Sequence, residues 1–434
     1  MEKNILREIF FDKHQHWEAF KKKHGAKIRP IVIKEVEKFR DCGDIKKGFK
    51  LFVCEGCHDV RKVPYRCKGR FCTTCSVGES EEWSRLLTED VLQVNHRHVI
   101  FTIDEGLRDV FLLHRHLLKD LMDAASKLVM GFFQKKAKVT PGIISGLHTF
   151  GSRVNFNPHV HMLVTMGGLT EKGEWKAYDF LPFTMLRKQW QTVVLKLIRK
   201  GISEEEKKRI QPRLQQAFTN NGEGFYVYAP KQKGKVKEQL RYIGRYIRRP
   251  AIGINRIEAY DGQFVIFKYK DKTDGKEKTE TVSVEEFISR LIRHIPDEQF
   301  KTIRHYGMYS RRTKKLCRKV LSAWQRKARR WIVKVKKVLR RQTWRERIIA
   351  SGQKDPLVCP KCECYYEYKG EVCLEDGKLE IKVALCRTTR AYLERVMNDL
   401  TGIQTPQKRK EKEEKCKSKP VQETERQLCL FSVS

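Results

Sequence analysis

Asn157-Pro-His-Val-His-Met-Leu-Val164 decides how the rest of this chain is read. His159 and His161 stand one residue apart in an apolar run, and alternation along a β-strand turns both imidazoles to one face. Upstream, Gly142-Ile-Ile-Ser-Gly-Leu-His-Thr-Phe150 reads as a second strand, and the Gly, Ser, Asn and Pro between residues 151 and 158 supply turn chemistry. A hairpin folded near Val154 is expected to set His148 opposite His161. Three imidazoles then converge on one ion, with open positions for water or a phosphate oxygen. A single buried histidine is ordinarily a hydrogen-bonded core residue, whereas three at this spacing point to a metal site.

Farther along, Gln239-Leu-Arg-Tyr-Ile-Gly-Arg-Tyr-Ile-Arg-Arg249 places Tyr242 and Tyr246 four apart, which on a helix means one face and about 6 Å along the axis. Tyrosines at this spacing commonly serve helix packing. Here Arg241, Arg245, Arg248 and Arg249 surround them, and positive charge is what a phenol of reference pKa near 10 needs to act as a nucleophile. The same guanidinium groups suit phosphate.

The cysteines come in pairs. Cys54 with Cys57 and Cys72 with Cys75 are expected to be the four thiolates of one zinc ion, with Cys42, Cys67 and His58 as substitutes or a second site. Lys62, Arg66, Lys68 and Arg70 between them would face phosphate. Near the other end, Cys359-Pro-Lys-Cys-Glu-Cys364 with Cys373 and Cys386 is a candidate second zinc knuckle of irregular spacing, with Cys359 and Cys362 its leading pair.

Composition sets the partner class. Among 434 residues, Lys and Arg number 91 against 53 acidic residues, a formal charge of +38, which is expected of a polyanion binder. Arg311 to Ile349 alone holds seventeen Lys or Arg against one acidic residue, with Trp324, Trp331 and Trp344 interleaved, and reads as a basic helix. No apolar run is long enough to span a bilayer and no secretion signal leads the chain, so a cytoplasmic protein with reduced cysteines is expected.

A buried strand at His98-Val-Ile-Phe-Thr-Ile103, a helix from about Leu107 to Ala137, the two histidine strands, helices near 183–199, 204–218 and 235–249, and a hairpin from Ala251 to Tyr269 follow one another. This order predicts an α+β fold, an antiparallel sheet with flanking helices. The expected modules are a zinc-binding DNA-recognition domain at 1–92 and a catalytic domain at 93–300. A basic helical extension at 301–352, a second knuckle at 353–400 and a disordered tail at 401–434 follow them.

Together these residues resemble the HUH endonuclease superfamily, in which a His-hydrophobic-His pair holds a divalent ion and a helical tyrosine attacks single-stranded DNA. His148, His159 and His161 are similar in spacing to the three-histidine site of conjugative relaxases. Tyr242-Ile-Gly-Arg-Tyr246, the N-terminal cysteines and Ile303-Arg-His-Tyr-Gly-Met308 resemble the two-tyrosine rolling-circle insertion-sequence transposases. The likeness covers roughly residues 10 to 310. It implies a ferredoxin-like or palm-like HUH sheet with the histidines on central strands, Mg²⁺ or Mn²⁺ at the histidines, and Zn²⁺ at the N-terminal cysteines. It also implies a 5′-phosphotyrosine intermediate on single-stranded DNA at the element ends, without ATP. The alternatives are a plasmid replication initiator or relaxase of the same chemistry, a hydrolytic metallonuclease, and a non-catalytic zinc-dependent DNA-binding regulator.

Overall fold

The computed structural model describes residues 4–92, 94–230, 238, 241, 244, 250–271, 273–310, 313, 342–350, 352–375 and 378–384. Tyr242, Tyr246, Arg245, Arg248 and Arg249 lie outside these residues, as do Trp324, Trp331, Cys386 and the expected tail at 401–434. Among the described residues the helices are α1 (Ile5–Phe11), α2 (His16–His24), α3 (Pro30–Arg40), α4 (Thr73–Asp90), α5 (Arg108–Leu113), α6 (Leu117–Ala137), α7 (Phe183–Gly201) and α8 (Glu204–Thr219), then Val284–Ile292 and Trp344–Ala350. The strands are β1 (Gly48–Cys54), β2 (Val60–Pro64), β3 (His96–Phe101), β4 (Thr140–Phe150), β5 (Phe156–Leu169), β6 (Trp175–Ala177) and β7 (Val227–Tyr228). They continue with β8 (Ile257–Tyr260), β9 (Phe264–Lys270), β10 (Glu277–Ser283), β11 (Ile303–Gly307), β12 (Tyr366–Glu375) and β13 (Lys378–Ala384). These elements fall into two compact units, residues 1–36 with 69–339, and residues 37–68 with 340–434.

The first unit is organised by an antiparallel sheet in the order β11-β4-β5-β3-β7, with β6 paired on β5. One face is apolar because alternate residues of its strands are: Val99 and Phe101, Ile143 and Leu147, and Val160, Met162 and Val164 all join one core. The helix α6 answers with Leu121, Met122, Ala125, Val129, Phe132 and Phe133, whose spacing of three or four residues makes a single stripe. Trp190 and Val194 of α7 complete this layer, and the Trp190 indole N–H donates to the Thr102 carbonyl at 2.7 Å. Each such fully buried large side chain contributes about 1.5–3 kcal/mol. With one face given to this core, strand alternation leaves His98, His148, His159 and His161 on the other.

Two expectations change here. The helix expected from Leu107 to Ala137 is broken between α5 and α6. At the break the largely buried Arg115 donates to the Asp297 carboxylate and to the Arg293 and Ile295 carbonyls, and those anchors fix a turn that the apolar periodicity does not encode. The sheet also extends past residue 300, the expected end of its domain, because β11 pairs with β4 from Ile303↔Gly146 to Gly307↔Gly142. The expected hairpin after residue 251 is present as β8 and β9, and β10 adds a third strand to it.

The second unit is a four-stranded antiparallel sheet in the order β13-β12-β1-β2. Its central pair joins Gly48↔Cys373 through Cys54↔Tyr366. Residues expected to form a self-contained N-terminal module are thus paired with residues expected to form a separate C-terminal knuckle.

Candidate metal centre

His148 leaves β4 and His159 and His161 leave β5, and their ligand-capable atoms all lie within 4.8 Å of one another. The ring centroids of His148 and His161 are 4.4 Å apart, those of His159 and His161 4.7 Å, and those of His148 and His159 5.4 Å. The hairpin register differs from the expected one. His148 stands opposite His159, while His161 stands opposite Gly146, with a register shift between His148 and Phe150. Since the partner moves by two residues and the side-chain period is two, all three rings stay on one face. Gly146 presents no side chain, which lets the His148 ring lean over the position beside it toward His161.

The turn that sets this register is tight. Gly151 N–H donates to the Asn155 carbonyl at 3.0 Å and Val154 N–H to the Gly151 carbonyl at 3.1 Å. Val154 adopts φ +59°, a left-handed conformation unfavourable for a β-branched residue, and is fully buried.

The hydrogen bonds around the rings select which nitrogens can ligate. His159 Nδ1 is 2.7 Å from the Asn157 carbonyl, so it carries the proton and donates, leaving coordination to Nε2. His161 Nδ1 is 2.9 Å from Nε2 of His98, a fourth histidine on the adjacent strand β3. For His161 to ligate through Nε2, its Nδ1–H must donate to His98, which in turn must be neutral with a bare Nε2. Burial, and secondarily the charge of His159, pushes the His98 imidazole down to about 4, which keeps it neutral. Burial first, then His148, His159 and His98, holds His161 well below the usual histidine range as well. Such neutral imidazoles are the form that binds a cation.

Sequence reasoning missed His98. The signal was present in His96-Arg-His-Val-Ile-Phe101, where alternation puts His98 on the face opposite Val99 and Phe101. Asn157, on the His159 face of β5, was also missed; its Oδ1 is buried without a hydrogen-bond partner among the described residues. Of the expected nucleophile helix, the described residues Glu238, Arg241 and Gly244 are helical. The Arg241 carbonyl accepts from the Ser84 hydroxyl of α4 at 2.8 Å, and a Cβ on Gly244 would meet Ser84 Oγ at 2.9 Å.

The expected zinc quartet is regrouped. Cys54 and Cys57 lie with Cys359 and Cys362, all four Sγ atoms within 4.8 Å, rather than with Cys72 and Cys75. Cys72 precedes the first turn of α4 as its N-cap and Cys75 lies within that turn. Cys42 Sγ accepts from the Cys67 N–H at 3.4 Å.

Known proteins resemble this chain over most of its length. A family model described as putative transposase matches residues 142–317, a span that includes His148, His159 and His161, and one described as transposase zinc-binding domain matches residues 12–103. The chain is 28% identical over 316 residues to the transposase for insertion sequence element IS801 of Pseudomonas savastanoi pv. phaseolicola, covering 70% of this chain and 75% of that protein. It is 26% identical over 291 residues to the putative transposase y4qJ of Sinorhizobium fredii, covering 62% and 72% respectively. No solved structure matches the chain. Among the described residues no helix is long and apolar enough to cross a membrane.

Proposed function

We propose that this chain, which matches the putative-transposase and transposase zinc-binding models and is similar to the IS801 transposase, cleaves and rejoins single-stranded DNA through a phosphotyrosine, as in rolling-circle transposition. The observation that carries this reading is the convergence of His148, His159 and His161 on one point of the sheet face. A divalent ion held there, Mg²⁺ or Mn²⁺, would withdraw charge from the scissile phosphate and make phosphorus easier to attack.

The chain's own groups do the rest. The phenolic oxygen of Tyr242 or Tyr246 loses its proton and bonds to phosphorus; the bond to the 3′-oxygen breaks, and that oxygen leaves with a proton as a free 3′-hydroxyl. One phosphoester replaces another, so the energy for rejoining is conserved and no ATP is used. The second tyrosine takes the other strand end. Arg241, Arg245, Arg248 and Arg249 hold the flanking phosphates.

A surface for unstacked bases supports the single-stranded reading. Tyr226 and Tyr228, beside and on the edge strand β7, are nearly half exposed and stacked, with ring centroids 6.1 Å apart and planes 11° apart. The Arg187 guanidinium lies 5.0 Å over Tyr226. Ile100 pairs with His161 on one side and with Tyr228 on the other, so the stacked rings share the histidine face of the sheet. Bases stack on such rings without sequence preference. Zinc at the cysteines organises recognition of the element ends. The protein would work in the cytoplasm, on DNA.

Incubation with labelled single-stranded terminal DNA and Mn²⁺ tests the reading. A covalent protein–DNA adduct is expected, with mass spectrometry locating it on Tyr242 or Tyr246. The Tyr242→Phe, Tyr246→Phe double variant should form none. Adducts that persist in that variant, or cut DNA with no protein-linked end, would overturn it.

A further inference from the structure

Two tight turns far apart in the sequence have the same construction. In Cys54-Glu-Gly-Cys57-His58-Asp59 the Cys54 N–H donates to the Asp59 carbonyl at 2.9 Å and the His58 N–H returns to the Cys54 carbonyl at 3.1 Å. In Cys359-Pro-Lys-Cys362-Glu363-Cys364 the Cys359 N–H donates to the Cys364 carbonyl at 2.8 Å and the Glu363 N–H returns to the Cys359 carbonyl at 2.9 Å. The residue after the second cysteine is left-handed in both, His58 at φ +57° and Glu363 at φ +61°. In both, the backbone N–H two residues after the second cysteine is directed to its sulfur, Asp59 to Cys57 and Cys364 to Cys362. The two turns are copies of one knuckle.

They also face each other. Cys54 Sγ is 3.3 Å from Cys362 Sγ, and Cys57 Sγ is 3.5 Å from Cys359 Sγ. A disulfide would need about 2.05 Å, whereas four thiolates about 2.3 Å from a tetrahedral ion stand about 3.8 Å apart. Pairing of β1 with β12 and a Glu55 N–H to Tyr365 carbonyl bond of 3.1 Å carry the knuckles side by side. The packing is close at the tip, where a Cβ on Gly56 would meet Cys364 Sγ at 2.6 Å and Cys362 Sγ at 3.1 Å. Among the described residues, the apolar cluster at the knuckles contains the buried Cys54 and Cys359 themselves with Phe52, Leu357 and Tyr366, and the partly buried Val63, Cys362 and Tyr368 pack against it.

We infer that Cys54, Cys57, Cys359 and Cys362 bind one structural zinc ion, in a ribbon whose two knuckles are contributed by opposite ends of the chain. Two of these ligands lie beyond residues 12–103, the span of the zinc-binding match. The assignment stands apart from the DNA chemistry, and its readout is metal content.

The test compares zinc per chain, by elemental mass spectrometry, in full-length protein carrying Cys54→Ser, Cys362→Ser or both, each in a Cys364→Ser background so that the neighbouring thiol cannot substitute. If the knuckles share an ion, each single change removes one equivalent and the double change removes no more. A Cys362→His variant, which keeps a competent three-cysteine, one-histidine set, should retain zinc and thereby separate ligand loss from misfolding. Zinc content unchanged in the single variants, or two equivalents lost only in the double, would overturn the assignment.

Discussion

The histidine centre and the cysteine ribbon are both built to hold a metal, yet they are made from opposite kinds of sequence. The three histidines come from one hairpin, and the sheet carrying them is backed by α6 and α7 over a large apolar core. The ribbon draws its sulfurs from positions 302 and 308 residues apart. On the proposed reading, an ion at the first would serve chemistry on a sheet that already has its own apolar core, whereas an ion at the second would supply part of the structure. Perturbations should therefore separate them: changes at the histidine site should lower activity and leave the fold intact, whereas changes at the ribbon cysteines should unfold the ribbon.

The largest expected effect is on catalysis. His159→Ala with His161→Ala should lower adduct formation by more than about 100-fold, beyond the roughly 10–100-fold typical of groups that only orient a ligand. Far-ultraviolet circular dichroism should stay unchanged, because neither ring belongs to the apolar core of the sheet. A melted sheet in that variant would break the comparison.

Next in size is the effect on the ribbon. Structural zinc is worth on the order of 10 kcal/mol in small domains. Cys54→Ser should therefore abolish amide-exchange protection in β1 and β12 while β4 and β5 stay protected. Equal loss in both sheets would show that the two units do not melt separately.

A smaller effect is expected at His98. His98→Ala should weaken Mn²⁺ binding by about 10–100-fold, by leaving His161 Nδ1–H without its acceptor. His98→Gln, whose amide oxygen can accept in its place, should recover most of the affinity. Equal behaviour of the two variants would reduce His98 to a packing residue.

The smallest effect is a pH dependence confined to the first unit. Burial pushes His96 and His294 down to about 4, with His96 Nδ1 against the Val94 carbonyl and His294 Nε2 against the Val154 carbonyl. An unfolded histidine titrates near 6.5, so between about 6.5 and 4 the unfolded chain binds more protons. Stability from these groups is complete above that window and falls as pH drops through it. Chemical denaturation at pH 7 and pH 5 should show the loss, and His294→Gln should reduce it.

How much of this the amino-acid order discloses depends on distance along the chain. Alternation in 157–164 placed His159 and His161 on one face, and the turn residues placed His148 across from them, because hairpin partners are local. The bulge between His148 and Phe150 was hidden, since it depends on Val154 adopting a left-handed backbone that valine does not advertise. His98 was missed because its partnership with His161 requires β3 to lie beside β5, a long-range pairing. The cysteines show the limit most plainly. A CxxC spacing states that two thiols share a turn and is silent on which other turn faces them, so Cys54 and Cys57 were given the nearest pair, Cys72 and Cys75.

The pairing of β1 with β12 has a consequence for synthesis. Ribosomes extend chains at roughly 5–20 residues per second, so the 302 residues separating Cys57 from Cys359 take roughly 15–60 s to appear. During that interval the first knuckle emerges without its counterpart, and any message cut short upstream of codon 359 yields a polypeptide that can never clasp its own tail.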